Sequence, residues 1–295
     1  MISMDNYENA IEVRGLTKRY RGFTLDSVTF DVPRGSIMGF VGQNGAGKTT
    51  TIRSILNIIK ADEGEIRVFG LDHIKDETEI KKRIAPVFDE LPFHDVFKPG
   101  DISHIFAGLY ENWDEQVFRG WLDRLELPLG KRIGDYSKGM KMKLQIACAL
   151  SHKAELLIMD EPTTGLDPVV RDEVLHIFME YLQSGEASIL MSSHITSDLE
   201  KIADSITFID SGRILITGSK DDILDRHGIV KCGEESLACI DRSSIVSVRE
   251  NPYGCEVMVN DRRRAAADHP DLIVDPADID DIMLYYVHEG EEKWS

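Results

Sequence analysis

The chain has 295 residues, and its 52 acidic residues outnumber its 34 lysines and arginines, so the formal net charge is −18 at pH 7. Such an acidic surface disfavours nucleic acid or anionic lipid as the main partner, because both bind basic patches. The length fits one large domain with a smaller one, or two modest domains, and a hydrophobic content of 42% supports a buried core.

The cysteine and hydropathy patterns predict a protein of the reducing cytoplasm that does not cross a membrane by itself. The N-terminus carries Asp5 and Glu8 and lacks an apolar leader, so no signal peptide is expected. No run of about 18 apolar residues occurs along the chain. The four cysteines form no C-x-x-C pair and no metal-like cluster, and the first of them is expected in the core: Cys148, Cys232, Cys239 and Cys255.

Residues 10–32 alternate in polarity on both sides of Arg21-Gly22, which predicts an antiparallel hairpin at the edge of a sheet. Tyr20 lies just before this turn, where its ring could stack on an adenine. A half-buried strand tyrosine fits the position equally well, and Phe23 is a lesser candidate for the stacking role.

Residues 36–49 join an apolar run to the pattern G-x-x-x-x-G-K-[ST], and a helical stretch over 50–59 follows. The glycines let successive backbone N–H groups point at phosphate oxygens, beside the positive end of the helix. Lys48 can reach the β- and γ-phosphates, and the Thr49 hydroxyl can bind Mg²⁺. The segment predicts a nucleoside triphosphate site formed by Gly42, Gln43, Asn44, Gly45, Ala46, Gly47, Lys48, Thr49 and Thr50.

The next region predicts a strand at 65–69 and a helical insertion over about 90–148 between segments of the main sheet. Residues 98–128 have helical periodicity, and 141–151 is a strong helix former. Before that helix, the stretch Ser137-Lys-Gly139 by itself indicates only a polar helix start.

Four apolar residues at 156–159 lead into Asp160 and Glu161, which predicts a buried parallel strand that carries two acids to its C-terminal end. Asp160 would hold Mg²⁺ through water, and Glu161 would orient and partly deprotonate the attacking water. A strand at 188–192 delivers His194 to the same edge, where we expect it to contact the γ-phosphate.

The first domain is completed by a helix over 169–182 and a hairpin of strands at 205–209 and 213–216. We expect this domain to cover residues 1–218. Residues 219–295 should then form a small C-terminal domain.

This tail has the pattern of an α+β domain. A hairpin is expected from strands at 244–249 and 255–260, and Asp275-Pro276 should begin a helix. Arg262-Arg-Arg264 is expected to be a solvated turn. The tail is interpreted either as a regulatory or dimer-bracing domain or as a packing appendage. One apolar face of its helix is predicted to contain Ile279, Ile282, Met283 and Tyr286.

The set of motifs, in this order over residues 10–220, resembles the ATP-binding subunit of ABC transporters. The resemblance implies an α/β P-loop NTPase fold: an ABC ATPase domain with a mixed sheet core, an antiparallel β edge and a helical insertion. By the same resemblance, Tyr20 stacks on adenine, Asp160 is the second Walker acid, Glu161 is the catalytic glutamate and His194 is the switch histidine.

The resemblance also implies that the working unit has two ATP-binding subunits. Ser137 and Gly139 would contact the γ-phosphate of the opposite subunit's ATP, and Asp167 would couple the two sites. The signature of the family is commonly LSGGQ, whereas here Lys138 adds a charge and Met140 removes an amide.

A second departure concerns the family's loop glutamine, which contacts Mg²⁺ and the membrane subunit. Asp89 stands at that position, and its shorter carboxylate could still reach the metal through water. With the single ATPase unit and the appended tail, these departures are more similar to the ABC-2-type exporter branch. Within it, the chain is similar to exporters of multiple drugs, antimicrobial peptides and amphipathic peptides.

The sequence therefore predicts an ATPase subunit that binds ATP and Mg²⁺ at a dimer interface and powers export through a separate transmembrane permease. It would lie on the inner face of the cell membrane and bind no nucleic acid. The alternative is a soluble or regulatory ABC ATPase that is not coupled to transport. The ribosomal type normally has two ATPase units and the DNA-repair type a long coiled coil, and the charge of −18 counts against both.

Overall fold

The computed structural model describes residues 8–183, 187–252 and 254–288. The strands are β1 (Asn9–Tyr20), β2 (Phe23–Pro33), β3 (Ile37–Val41), β4 (Glu63–Val68), β5 (Leu71–Asp72), β6 (Ile84–Val87), β7 (Leu156–Asp160), β8 (Ser188–Ser193), β9 (Ser205–Asp210), β10 (Arg213–Ser219), β11 (Gly228–Cys232), β12 (Ile245–Asn251), β13 (Gly254–Val259) and β14 (Ile273–Pro276). The helices are α1 (Lys48–Ile55), α2 (Glu77–Arg83), α3 (Pro99–Leu109), α4 (Glu115–Arg124), α5 (Lys138–Ser151), α6 (Pro168–Leu182), α7 (Thr196–Ile202), α8 (Lys220–Arg226), α9 (Glu234–Leu237), α10 (Arg262–Asp268) and α11 (Ile279–His288).

A six-stranded sheet in the order β10-β9-β3-β8-β7-β6 forms the centre of the molecule. Its strands are parallel except for β10, which pairs antiparallel with β9 as the predicted hairpin. Every residue of β3, β7 and β8 is buried, which explains the nearly continuous apolar runs of β3 and β7 and the apolar centre of β8. Their C-terminal ends are therefore held rigidly at one edge of the sheet.

A second sheet, in the order β2-β1-β4-β5, covers one side of this centre. The predicted hairpin is confirmed: β1 and β2 pair antiparallel, with Tyr20 opposite Phe23 at the turn. Apolar side chains of this sheet pack with Phe40 of β3, Ile52 of α1 and Ile158 of β7 in one buried cluster. This packing fixes the base of the glycine loop between β3 and α1.

The helices α3, α4 and α5 lie between β6 and β7 in the chain, where a helical insertion between segments of the main sheet was predicted. Helix α5 begins three residues before its expected start, because the Ser137 hydroxyl accepts the Met140 N–H as an N-cap. Helix α1 spans Lys48–Ile55 rather than 50–59. It ends early because Asn57 has a φ of 53°, which lies in the left-handed region.

A third sheet, in the order β12-β13-β11-β14, forms in the tail, and its hairpin of β12 and β13 is confirmed. The prediction that Asp275-Pro276 begins a helix is wrong, because both residues lie in strand β14. Pro276 is tolerated there because β14 is an edge strand. The helix begins at Ile279 instead, after Asp278, whose carboxylate accepts the Asp281 N–H at 2.7 Å.

The expected turn at residues 262–264 is also wrong, since Arg262 begins helix α10. Asp261 caps this helix by accepting the Arg264 N–H. The three arginines pair with acids of the same tail, Arg262 and Arg263 with Asp225 and Arg264 with Asp241. The sequence predicted solvated arginines but not these acidic partners.

Helix α11 packs on the central sheet rather than on the tail alone. Ile279, Ile282 and Tyr285 are buried in the same apolar cluster as Phe208 of β9. Met283 and Tyr286 are partly buried against this cluster, which confirms the predicted apolar face. A boundary near residue 218 stays a prediction, because the fold buries residues from both sides of it in one core.

Two polar contacts fix the start of α11 against α7. The Thr196 hydroxyl donates to Asp280 Oδ1 at 2.6 Å, and the Ile279 N–H donates to Glu200 Oε1 at 3.0 Å. Thr196 lies two residues after His194, so the tail is joined directly to the segment that carries this histidine.

Replacing Ile282 by alanine should destabilise the whole chain, because the buried side chain fills space between α11 and the central sheet. We expect a loss of about 2–5 kcal/mol, the usual cost of emptying such a site. The shift in the urea midpoint measures it. Leu284→Ala, on the exposed side of the same helix, is the matched control, and equal small shifts in both variants would contradict the docking.

The remaining expectations concern the buried cysteine, membrane-spanning helices and the two ends of the chain. Cys148 is buried as predicted, and this burial raises the pKa of its thiol. No helix in the described ranges is long and apolar enough to cross a bilayer. The expectation about a leader involves residues 1–7, and the predicted tail includes Tyr253 and residues 289–295. All of these lie outside the described residues.

Candidate active site

The strands β3, β7 and β8 bring their functional residues to one edge of the central sheet. Val41 is in register with Ser193, and Asp160 is in register with Ser192. The glycine loop leaves β3 at this edge, Glu161 follows β7, and His194 follows β8. The structure thus brings together the loop, the two acids and the histidine that the sequence placed far apart.

The glycine loop over residues 42–47 requires two of its glycines for different reasons. A Cβ on Gly42 would lie 2.3 Å from the Ile209 carbonyl oxygen, so the backbone of β9 leaves no room for a side chain. Gly47 has a φ of 119° at the N-cap of α1, a conformation that other residues rarely adopt. The loop exposes Gln43, Asn44 and Gly45, and Ala46 is buried beneath them.

Lys48 is only 5% exposed, and its ammonium group faces inward at the base of the loop. Its Nζ lies 2.6 Å from the Gly42 carbonyl oxygen and 3.1 Å from that of Gln43. It also lies 3.1 Å from Glu161 Oε1. A buried cation is costly unless it is paired, so these oxygens hold Lys48 in place at the phosphate-binding loop.

Glu161 is the centre of a hydrogen-bonded cluster. Its Oε2 accepts from the Thr164 hydroxyl at 2.7 Å and lies 2.6 Å from His194 Nδ1. Burial by itself raises the pKa of this carboxyl, but the Thr164 hydrogen bond and the charges of Lys48 and His194 outweigh burial and lower the pKa below its usual value. Glu161 is therefore ionised at neutral pH.

The ionised Glu161 determines the orientation of His194. A carboxylate only accepts hydrogen bonds, so Nδ1 of the imidazole carries a proton and donates a hydrogen bond to Glu161. The other ring nitrogen, Nε2, is not engaged by Glu161 and is available to a ligand. Glu161 itself has a φ of 54°, an uncommon conformation for a residue with a side chain, and such residues cluster at functional sites.

Two further residues at the site, Ser192 and Thr164, were not predicted from the sequence. The Ser192 hydroxyl donates to Asp160 Oδ1 at 2.7 Å and accepts the Glu161 N–H at 3.0 Å, so one side chain positions both acids. The signal was its place in β8, opposite the end of β7 in a parallel sheet. Thr164 lies three residues after the glutamate, where a turn returns its hydroxyl to the carboxylate.

The predicted metal ligands offer oxygen donors, which Mg²⁺ prefers. Thr49 exposes its side chain beside the loop, and the buried Asp160 is oriented by Ser192. No group of three or more histidine, cysteine or acidic residues with the arrangement of a metal site occurs in the described chain. This donor set fits an ion that is held mostly by phosphate and water, because Mg²⁺ retains much of its hydration shell.

Asp89, the third predicted metal ligand, follows β6 and is exposed. Its Oδ1 lies 2.5 Å from the Nζ of Lys138. Gln145 of α5 fixes the preceding residue, because its amide accepts the Phe88 N–H at 3.1 Å and donates to the Phe88 carbonyl at 2.8 Å. Metal binding by Asp89 stays a prediction.

The residues predicted to face a second subunit lie at helix starts. Ser137 caps α5, and Asp167 caps α6 by accepting the N–H groups of Val169 and Val170. In the ranges described, neither Ser137 nor Gly139 hydrogen-bonds to the glycine loop of its own chain. Their contact with a partner's ATP stays a prediction.

The two aromatic candidates for adenine stacking differ in their surroundings. Tyr20 is 44% exposed, and Lys18 Nζ lies 5.7 Å from its ring centroid. Phe23 is partly buried, and its ring tip lies 3.2 Å from the place that a Cβ on Gly47 would occupy. Phe23 therefore supports the loop, whereas the more exposed Tyr20 stays the predicted stacking residue. Thr50 is half-buried at the start of α1.

The pattern of the family described as ABC transporter matches residues 25–164. The chain is 36% identical over 210 residues to the bacitracin transport ATP-binding protein BcrA of Bacillus licheniformis, an alignment that covers 70% of this chain and 68% of the relative. It is 33% identical over 230 residues to the daunorubicin/doxorubicin resistance ATP-binding protein DrrA of Streptomyces peucetius, covering 74% of this chain and 68% of the relative.

A solved structure titled as an ATP-binding subunit of an ABC transporter has a similar fold. The TM-score is 0.66 at 30% sequence identity, and the match covers 72% of this chain and 91% of that one. The motifs, the cluster around Glu161 and these similarities agree: the chain belongs to the ATP-binding ATPase proteins of the ABC transporter family.

Proposed function

We propose that this protein is the ATP-hydrolysing subunit of an exporter, which works with a second ATP-binding subunit and a separate transmembrane permease. The observation that carries the proposal is the contact of Glu161 with both Lys48 and His194 at the edge of the sheet. It joins the phosphate-binding loop to a base and a histidine. The similarity to bacitracin and daunorubicin/doxorubicin proteins supports the exporter branch.

In this proposal, Glu161 accepts a proton from the attacking water while the triphosphate is held by the loop. The bond between the γ-phosphorus and the bridging oxygen breaks as the water oxygen attacks in line, giving ADP and phosphate. His194 Nε2 contacts the γ-phosphate, because Nδ1 is already committed to Glu161. Since a phosphate oxygen only accepts hydrogen bonds, this contact requires the imidazolium form, in which both ring nitrogens donate. Lys48 leaves the carboxylate and stabilises the charge on the β- and γ-phosphates.

Thr49 and Asp160 would hold Mg²⁺, with Asp89 as a third donor through water. When bound, the ion neutralises charge on the phosphate oxygens. The hydrogen bond from Ser192 keeps the carboxylate of Asp160 in one orientation at the end of β7. Tyr20 stacks on the adenine.

The second ATP-binding subunit is needed because one chain supplies only part of each site. Ser137 and Gly139 lie on the separate tip of α5 and make no described hydrogen bond to their own glycine loop. In the proposed dimer they contact the γ-phosphate of the partner's ATP, and Asp167 lies beside them. ATP then stabilises the closed state through contacts that the open state does not make.

Co-purification tests the coupling to a permease. The tagged chain, co-expressed with the membrane protein of a neighbouring reading frame, should be recovered from detergent with that protein, and Mg²⁺-dependent ATP hydrolysis should disappear with a chelator. Full hydrolysis by a chain that never retains a membrane protein would favour a soluble ATPase. A complex that binds ATP without turnover would favour a regulatory module. The protein would lie on the inner face of the membrane through the permease.

A further inference from the structure

The two departures from the family pattern, Asp89 and Lys138, contact each other. Lys138 Nζ lies 2.5 Å from Asp89 Oδ1, although the residues belong to different elements. One follows strand β6 and the other begins helix α5. The two substitutions thus form one charged pair across a gap between two functional segments.

The backbone on both sides of this pair is fixed. Gln145, two turns along α5, makes two hydrogen bonds to the main chain of Phe88. The backbone of the loop after β6 is tied to the helix, so a change at the pair can take place in the side chains of Asp89 and Lys138 alone.

Lys138 also lies against the loop that follows the catalytic glutamate. A Cβ on Gly165 would be 3.2 Å from its Nζ, and a Cβ on Gly139 would be 3.3 Å from Val170. The ammonium group therefore lies between Asp89 and the Gly165 loop, on the exposed start of α5 that also carries Ser137 and Gly139 and is proposed to meet the partner's ATP.

The pair is too exposed to serve mainly as a structural tie. The two side chains are 43% and 47% exposed, and an ion pair in such a place contributes about 0–1 kcal/mol to stability. A triphosphate carries several negative charges, whereas Asp89 carries one. An approaching triphosphate can thus attract the lysine away from the carboxylate at little cost.

We propose that Lys138 exchanges Asp89 for the γ-phosphate of the ATP held by the partner subunit when the dimer closes. The exchange leaves the Asp89 carboxylate without its cation, so the loop after β6 changes its electrostatic state when the opposite site is filled. Lys138 is a nucleotide ligand in trans, and Asp89 is the resting partner. This inference rests on the proposed function, because it requires the ATP-bound dimer.

The first test measures ATP-driven dimer formation by sedimentation in the Glu161→Gln chain. Adding Lys138→Ala should raise the ATP concentration for half-maximal dimer by about tenfold, the effect of losing one charged contact. Lys138→Arg should keep most of the parent's ATP-driven dimer formation, because arginine retains the positive charge. Lys141→Ala is the matched control, because Lys141 lies on the same helix and its Nζ is 3.5 Å from Asp95. Equal dimerisation with and without Lys138 would overturn the inference.

The second test reverses the pair with Asp89→Lys and Lys138→Asp together. An ion pair can form again, but a carboxylate now faces the partner's triphosphate. Dimer formation should therefore be weaker than with Lys138→Ala alone and should not recover. Recovery to the level of the Glu161→Gln chain would show that the pair is only structural and would overturn the inference.

A fluorescent ATP analogue, titrated onto dilute monomer, separates the two proposals. Lys138→Ala and Lys138→Arg should bind it as the parent does, because the contact is made in trans. Weakened binding by the Lys138→Ala monomer would overturn the contact in trans. If the Glu161→Gln chain itself forms no ATP-dependent dimer, the proposed function fails and this inference fails with it.

Discussion

Glu161→Gln should reduce ATP hydrolysis by about 10²–10⁴-fold, the usual contribution of a positioned general base. Glutamine has the same shape, and its amide oxygen can still accept from Thr164 and from His194 Nδ1. It has no negative charge and cannot take a proton from water. The chain should therefore bind ATP and remain as an ATP-bound dimer.

The structure adds a consequence for nucleotide binding by this variant. In the parent chain, Glu161 Oε1 and Lys48 Nζ are 3.1 Å apart, so the triphosphate must compete with the carboxylate for the lysine. The amide removes this competitor. We expect the variant to bind ATP at least as tightly as the parent.

Phosphate release and sedimentation with Mg²⁺ and ATP measure the two effects. Glu180→Gln is the matched control, because Glu180 pairs with Arg124 on the exposed surface away from the glycine loop. It should leave both measurements unchanged. Turnover by Glu161→Gln at the parent rate would rule out the role assigned to this residue.

Lys48→Ala should lower the affinity for ATP by about 10–100-fold, because a hydrogen bond to a charged group contributes about 1.5–3 kcal/mol. The substitution removes the Lys48 ammonium group, which is 5% exposed and lies at the base of the glycine loop. A fluorescent ATP analogue measures the affinity directly. Thermal unfolding provides a second readout, because a ligand that binds the folded state raises the Tm.

The Tm of the parent chain should rise with added ATP, and that of Lys48→Ala should rise far less. The variant also leaves Glu161 without its cation, so its Tm without ATP should be lower than that of the parent. Lys60→Ala, at an exposed position beyond α1, is the control for general loss of charge. An unchanged ATP affinity in Lys48→Ala would contradict the assignment of the phosphate-binding lysine.

The sequence predicted best the parts of the site that depend on local spacing. The glycine loop lies between a buried strand and a helix, and the predicted strands end at Asp160 and at Ser193, one residue beyond the expected end of the second. Parallel strands bring such ends together by rule. The contacts of Ser192 and Thr164 were not predicted, because a serine in a strand gives no sign of which neighbour it will face.

The errors in the tail have physical causes of the same kind. Asp275-Pro276 has the local chemistry of a helix start. In the fold, however, Asp275 forms an ion pair with Lys231 and Pro276 lies opposite Gly228 of β11, so the segment is a strand. The arginines at 262–264 are charged in any context, and only the fold shows acids close to them. Local propensity is a weak guide where tertiary partners decide.

The link between Asp89 and Lys138 belongs to this class. Each residue was visible as a departure from a family pattern, but no periodicity relates one to the other. Their contact depends on how α5 lies against the loop after β6, which Gln145 fixes.

The docking of α11 has a consequence for synthesis on the ribosome. Ile279, Ile282 and Tyr285 complete a core that also contains Ile206 and Phe208, which emerge from the ribosome much earlier. Until residues 279–288 are made, the nascent chain displays that apolar face of the sheet and is open to aggregation or to chaperones. The last helix described here thus determines when the catalytic domain can finish folding.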